Sequence, residues 1–355
     1  MQFPQKMPQG NAPMRDGQIG LYVSEEAASK PWFQQGRQVI FINGINTSGD
    51  AHASSARDLS LIQGCPVLGI YNRTNGFAND FIQCLRDKVT LLSPFARTVA
   101  EWTLSVDAAF ATVRRQNPAL TRVDFVKRII DGNAATLALY EHLVALAPGQ
   151  RMAARIYSHS QGNLITSNAL TAVALALGPQ AIVGIEVNSF GSPCHSWPEG
   201  LRRTNYTFTF DYVVLATLSL DLNSVSVGFG ISHGFAEYRK HDAEFIVNRF
   251  RTGGWGMTVD MDEAGLADHL VSLGGNADRL TSVFARLKSA HWTDCDDVAA
   301  IYTGKMRLGH DATMRAMARS NPALIRLISD CMTGGTVNWL SAAEKAEVAY
   351  LKQLL

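Results

Sequence analysis

A serine attacks a carbonyl carbon only when a neighbouring base takes its proton and fixed donors stabilise the resulting oxyanion. One stretch of this chain is suited to present such a serine, Ser158-His159-Ser160-Gln161-Gly162. A short apolar run, Met152 to Tyr157, precedes it. An Ala/Leu-rich run, Asn163 to Leu177, follows without Gly or Pro. A strand that enters a helix through so short a turn bends sharply. The residue at the apex takes strained backbone angles, and the residues two before and two after it must be small. Ser158 and Gly162 meet that requirement around Ser160. The start of the helix adds unpaired N–H groups and a positive dipole end.

Where a strand–turn–helix presents the serine, the acid and then the histidine follow it in the chain. Asp211 stands where an apolar run, Tyr206 to Phe210, ends. His233, beside Gly234, opens a helical stretch. These residues are expected to serve as orienting acid and base. Asp221 and Asp242 are the alternative acids and His241 is the alternative base. The oxyanion donors are expected from the backbone of Gln161 and from the turn Gly44-Ile45, with Asn43 and Asn46 shaping that turn. His159 is read as packing behind the turn, and His52, His195, His269, His291 and His310 as isolated structural or surface histidines. Taken alone, an aspartate such as Asp211 is more commonly a turn or cap residue; its order after the serine and its place at a strand end reverse that preference.

The elements that must position these groups alternate. Strands are expected at 20–23, 38–42, 67–71, 152–157, 182–187, 206–210 and 225–231. Helices are expected at 51–62, 78–92, 95–116, 122–146, 163–177 and 234–250. Successive apolar residues in the strands point to a parallel sheet covered on both faces. Residues 1–36 form an N-terminal arm, 37–252 an α/β domain with a helical insertion at about 77–121, and 253–355 an all-α module of about five short helices. The cap Asn321-Pro322 and the capping box Ser341 to Glu344 mark starts of helices in that module. The insertion reads either as a lid over the site or as packing.

Bulk properties exclude several classes of function. The 32 basic and 31 acidic residues leave a net charge of +1, so no basic excess points to nucleic acid. The five cysteines are scattered, with no C-x-x-C pair and no zinc spacing, which suits free thiols. The expected chemistry calls for no cofactor and no metal. No apolar run is long enough to span a membrane. The first twelve residues lack the apolar segment of a secretory signal, so synthesis in the cytoplasm is expected.

Taken together, these motifs resemble the α/β-hydrolase superfamily, in particular its lipase-like branch. The residues that carry the resemblance are Ser158 to Gly162 with its helix, Asn43-Gly44 after a strand, Phe190-Gly-Ser-Pro193, Asp211-Tyr-Val213 and His233-Gly234. They fall within about 37–250. Ser158 departs from the more usual Gly, and Asn43-Gly44 from the frequent His-Gly. The resemblance implies an α/β-hydrolase fold and a Ser160–His233–Asp211 triad that cleaves carboxylic esters, lipid or phospholipid acyl esters included. A lipid substrate implies transient contact with a membrane surface, and the C-terminal module offers a surface for a protein partner. A hydrolase domain with such an annex also resembles bacterial lipase effectors exported by signal-independent secretion systems. Two alternatives stay open: a non-catalytic scaffold on the same fold, and a thioesterase or amidase using the same triad.

Overall fold

Val39–Ile42 (β2) and Val67–Ile70 (β3) bury every side chain, as β-branched and apolar runs do in a sheet covered on both faces. They belong to a computed structural model of the chain. The structure describes residues 13–29, 33–73, 99–194, 196–216, 224–227, 232–240, 242–247, 250, 261–291, 294–334 and 340–355. Asp221, His241, His195 and the first part of the expected insertion, 77–98, lie outside the described residues. So does the Asp242 side chain.

The sheet has seven strands in the order β1-β3-β2-β4-β5-β6-β7. Besides β2 and β3 they are Ile19–Tyr22 (β1), Arg155–His159 (β4), Glu186–Phe190 (β5), Arg202–Thr207 (β6) and Ser224–Ser226 (β7). Strand β1 pairs antiparallel with β3, and every other neighbouring pair is parallel. The chain steps from β2 outward to β3 and later resumes on the other side of β2 with β4. The carboxyl ends of β2 and β4 therefore flank the point where the connections diverge, and a crevice opens there in such sheets. The protein is thus α/β, with a mostly parallel sheet and a C-terminal helical region.

Helices Ala134–Ala145 and Gln161–Leu177 pack on each other and against the sheet. Ile40, Ile42 and Ile156 from the strands meet Leu139, Leu143, Leu170 and Val173 from these helices in one buried cluster. Helix Val99–Gln116, inside the expected insertion, also packs on Gln161–Leu177.

Several boundaries differ from the sequence reading, each for a local reason. The expected helix 122–146 is two helices, Arg122–Ile129 and Ala134–Ala145, because Asn133 caps the second by accepting the Thr136 N–H. The expected strand 152–157 begins at Arg155, since Pro148 starts a short helix, Pro148–Met152. Strand β6 lies earlier than 206–210. Its Arg202 and Arg203 disguised it, and Asp211 sits beyond the strand end, at the start of helix Tyr212–Ala216.

The described residues divide into two compact units, one drawn from 1–28, 34–61 and 65–240, the other from 29–33, 62–64 and 241–355. From Glu263 onward the second unit runs through six helices among the described residues, Glu263–Ser272 to Ala342–Leu354. Asn321 caps helix Pro322–Thr333, and Ser341 and Glu344 form a capping box. No helix among the described residues is long and apolar enough to cross a membrane.

Candidate active site

Ser160 lies between the last residue of β4 and the first residue of helix Gln161–Leu177, with φ 52° and ψ −123°. A positive φ is uncommon for a residue with a side chain and persists only where the surroundings enforce it. Here they do. The Ser160 N–H donates to the Phe190 carbonyl at 2.9 Å. Asn163 Nδ2 donates to the carbonyls of Ser160 at 3.0 Å and Phe190 at 3.1 Å. Asn163 Oδ1 accepts from the Ser158 hydroxyl at 2.6 Å. That last bond explains how Ser stands where a Gly is more usual, because the buried hydroxyl has a partner. The need for a small residue at 162 is also explicit: a Cβ on Gly162 would fall 2.6 Å from the Ile42 carbonyl oxygen.

The structure brings Ser160, His233 and Asp211 together. Ser160 Oγ lies 2.7 Å from His233 Nε2, and His233 Nδ1 lies 2.9 and 2.8 Å from the two Asp211 oxygens. Asp211 is wholly buried and Ser160 and His233 nearly so. With a carboxylate beside Nδ1, that nitrogen carries the proton. Nε2 is then the acceptor for the serine hydroxyl. The two readings of Asp211 turn out to be compatible. Its Oδ1 accepts from the N–H groups of Val213 at 2.9 Å and Val214 at 3.2 Å, which makes it a helix cap as well. Its Oδ2 accepts from the Tyr238 hydroxyl at 2.7 Å. Burial opposes ionisation of Asp211, but the bond and charge of His233, followed by the Tyr238 hydroxyl and the Val214 N–H, outweigh it. The carboxyl is held below its usual range.

Gly191, in the turn after β5, lies directly against this pair. A Cβ there would come within 2.7 Å of Asp211 Oδ2 and 2.8 Å of His233 Nδ1, and its φ is +51°. Only glycine combines that backbone angle with that clearance.

His159 packs behind the turn, and it does more than fill space. Its Nε2 donates to the His233 carbonyl at 2.6 Å, and its ring lies 5.0 Å from the His233 ring. Burial, reinforced by the neighbouring His233, lowers its pKa to about 3, so it is a neutral donor. His52 is also fully buried, with a pKa lowered by burial to about 3, but neither of its ring nitrogens has a hydrogen-bond partner among the described residues. Tyr22, Phe41 and Tyr71 surround it, with ring centroids 5.4 to 5.5 Å away.

The turn after β2 reaches the serine from the other side, since a Cβ on Gly44 would fall 2.6 Å from Ser160 Cβ. Asn43 Nδ2 and Thr47 Oγ1 each donate to the Gly44 carbonyl at 3.0 Å. Asn43 also exchanges bonds with the backbone of Asn72, whose Nδ2 donates to Gln161 Oε1 at 2.8 Å. The peptide is trans, so the Ile45 N–H points opposite to the carbonyl those donors hold. Gln161 opens its helix, and its N–H has no acceptor within that helix.

Tyr238, Asn163 and Asn72 did not stand out in the sequence. Tyr238 and Asn72 act through partners 27 and 89 residues away, so no local pattern marks them. Asn163 lies in the polar first half of its helix beside Thr166, Ser167 and Asn168, so its type alone does not single it out. The four described cysteines, Cys65, Cys194, Cys295 and Cys331, are buried free thiols, and Cys194 Sγ is bonded to the Ser196 carbonyl. Comparison of the chain with protein-family models, with curated proteins and with solved structures finds no match in any of the three.

Proposed function

We propose that this chain is a serine hydrolase of the α/β-hydrolase type that cleaves carboxylic esters through an acyl-enzyme. One observation carries the reading: an unbroken hydrogen-bond chain from Ser160 Oγ through both nitrogens of His233 to Asp211, at 2.7 and 2.8 Å, on a strained strand-to-helix turn.

In this mechanism Ser160 Oγ attacks the acyl carbon and passes its proton to His233 Nε2. Asp211 holds the tautomer and stabilises the imidazolium. The N–H groups of Gln161 and of the Gly44-Ile45 turn stabilise the oxyanion. Losing one such donor would cost about 3 kcal/mol of transition-state stabilisation. As the tetrahedral adduct collapses, the bond to the leaving oxygen breaks and His233 protonates the departing alcohol. Water then repeats the sequence on the acyl-enzyme and releases the acid.

An apolar acyl or lipid ester is the substrate class we favour. Phe210 and Tyr212 flank Asp211 with 51 % and 53 % of their surface exposed, and the Tyr212 ring lies 5.4 Å from His233. Exposed aromatics beside a buried polar centre suit a substrate with an apolar portion.

A fluorophosphonate probe tests the chemistry. It is expected to modify Ser160, and Ser160→Ala is expected to abolish labelling together with cleavage of nitrophenyl esters. An unlabelled wild-type protein would leave the non-catalytic scaffold as the better reading. Labelling without any preference for longer acyl chains over acetyl would retain the hydrolase and remove the lipid substrate.

A further inference from the structure

We propose that Tyr238 is a positioning residue, whose hydroxyl fixes the plane of the Asp211 carboxylate and through it the ring of His233. The role in catalysis rests on the hydrolase reading above, while the geometry it describes does not.

The carboxylate is held at both ends. On Oδ1 the Val213 and Val214 amides anchor one oxygen, and on Oδ2 the Tyr238 hydroxyl at 2.7 Å anchors the other. His233 Nδ1 lies within 2.9 Å of both. Without the phenol, Oδ2 would keep His233 alone, and the carboxylate would pivot on its amide-bonded oxygen. The imidazole would follow it away from Ser160 Oγ.

The direction of the bond is fixed by its surroundings. The Phe208 N–H points at the phenol oxygen from 3.4 Å, so that oxygen serves as acceptor on one side and donates its proton to Asp211 on the other. The Tyr238 side chain is fully buried, and its ring centroid lies 4.6 Å from Phe208, 5.7 Å from Phe190 and 6.1 Å from His159. Burial, followed by the charge of Asp211, raises the phenol far above its ordinary pKa. It therefore remains a donor and takes no part in proton transfer. Tyr238 also belongs to helix Phe235–Arg239, which His233 and Gly234 lead into. A single hydroxyl thus ties the acid to the element that carries the base.

Tyr238→Phe keeps the ring and removes only the hydroxyl. The expected result is a kcat lower by about tenfold, as for loss of one bond to a charged group, with KM changed by less than about twofold. Purified protein without substrate should also show, in its proton NMR spectrum, a low-field resonance from the His233 Nδ1 proton. It should disappear in Asp211→Asn and shift or broaden in Tyr238→Phe. An unchanged kcat and an unchanged resonance would overturn the proposal. So would a loss of rate matched by a loss of folded protein on thermal melting, with the resonance of the folded fraction unmoved. Because the resonance needs no turnover, it decides the role of Tyr238 even if Ser160 fails to react with the probe. In that case the hydrolase reading falls separately.

Discussion

The turn that carries Ser160 and the pair formed by Asp211 and His233 are built differently. The turn is largely a local construction. Its strand, apex, cap and first helical turn lie within Arg155–Asn163, and Asn163 knits Ser158 and Ser160 together. The Asp211–His233 pair is assembled from separated pieces: a cap after β6, a residue on the approach to helix Phe235–Arg239, the clearance at Gly191 and the His159 side chain from β4. A mostly local device can be strained, because several of the bonds that enforce the strain come from neighbours in sequence, with the Phe190 carbonyl as a distant anchor. A dispersed device depends on long-range bonds, and each of those bonds has its own variant that would loosen it.

Substitutions at four positions put this contrast to the test. The largest effect belongs to the dispersed pair. Asp211→Asn should lower kcat by about 10⁴-fold by favouring the wrong imidazole tautomer, while the protein keeps the circular dichroism spectrum of the unsubstituted chain. A loss of less than tenfold would remove Asp211 from the role of acid.

Asn163→Ala attacks the local device. It leaves the Ser158 hydroxyl without its acceptor and takes one of two donors from each of the Ser160 and Phe190 carbonyls, and should cost about 3 kcal/mol in urea unfolding. The double variant Ser158→Gly with Asn163→Ala should recover about 1 kcal/mol of that loss. Additive losses would show that the Ser158–Asn163 bond does not support the turn.

Gly191→Ala returns to the pair. Its methyl would displace Asp211 from His233, so kcat should fall by about 10²-fold while fluorophosphonate labelling slows in proportion. Normal kinetics would mean that the Gly191 turn can move aside without disturbing the acid.

The smallest effect comes from His52, the buried histidine that has no part in either device. Its pKa is lowered to about 3, against an ordinary value near 6.5 when unfolded. Above pH 6.5 it is neutral in both states and makes stability no more dependent on pH. As the pH falls below 6.5, the unfolded chain takes up a proton that the folded one refuses, so stability declines toward pH 3. His52→Leu should therefore remove about 2 kcal/mol of acid destabilisation at pH 5, read as a smaller drop in Tm between pH 7 and pH 5. Equal drops in the two proteins would mean that His52 takes up a proton in place.

This contrast also governs what could be read from the sequence. Ser160 was legible because small residues, an apolar run and a long helix surround it within a few positions. Asp211 and His233 were legible by order and by position at element ends. Which asparagine would hold the turn, or which tyrosine would hold the acid, was not, because those partners meet only after the sheet closes. The β6 boundary has a different, local cause: Arg202 and Arg203 give its first half a polar signature, so apolar residues alone mark the strand later than it begins. In the insertion, the expected helix 95–116 is helical from Val99 to Gln116 among the described residues.

The strand order has a consequence for how the molecule comes into being. Strand β2 must wait for β4, which is synthesised more than a hundred residues later, before Gly44 can lie beside Ser160. His233 arrives later still. Parallel pairings between such distant segments form slowly, because the loops they close are long. On the hydrolase reading, a nascent or partly folded chain would carry Ser160 without the means to activate it, and reactivity would come only with the completed sheet.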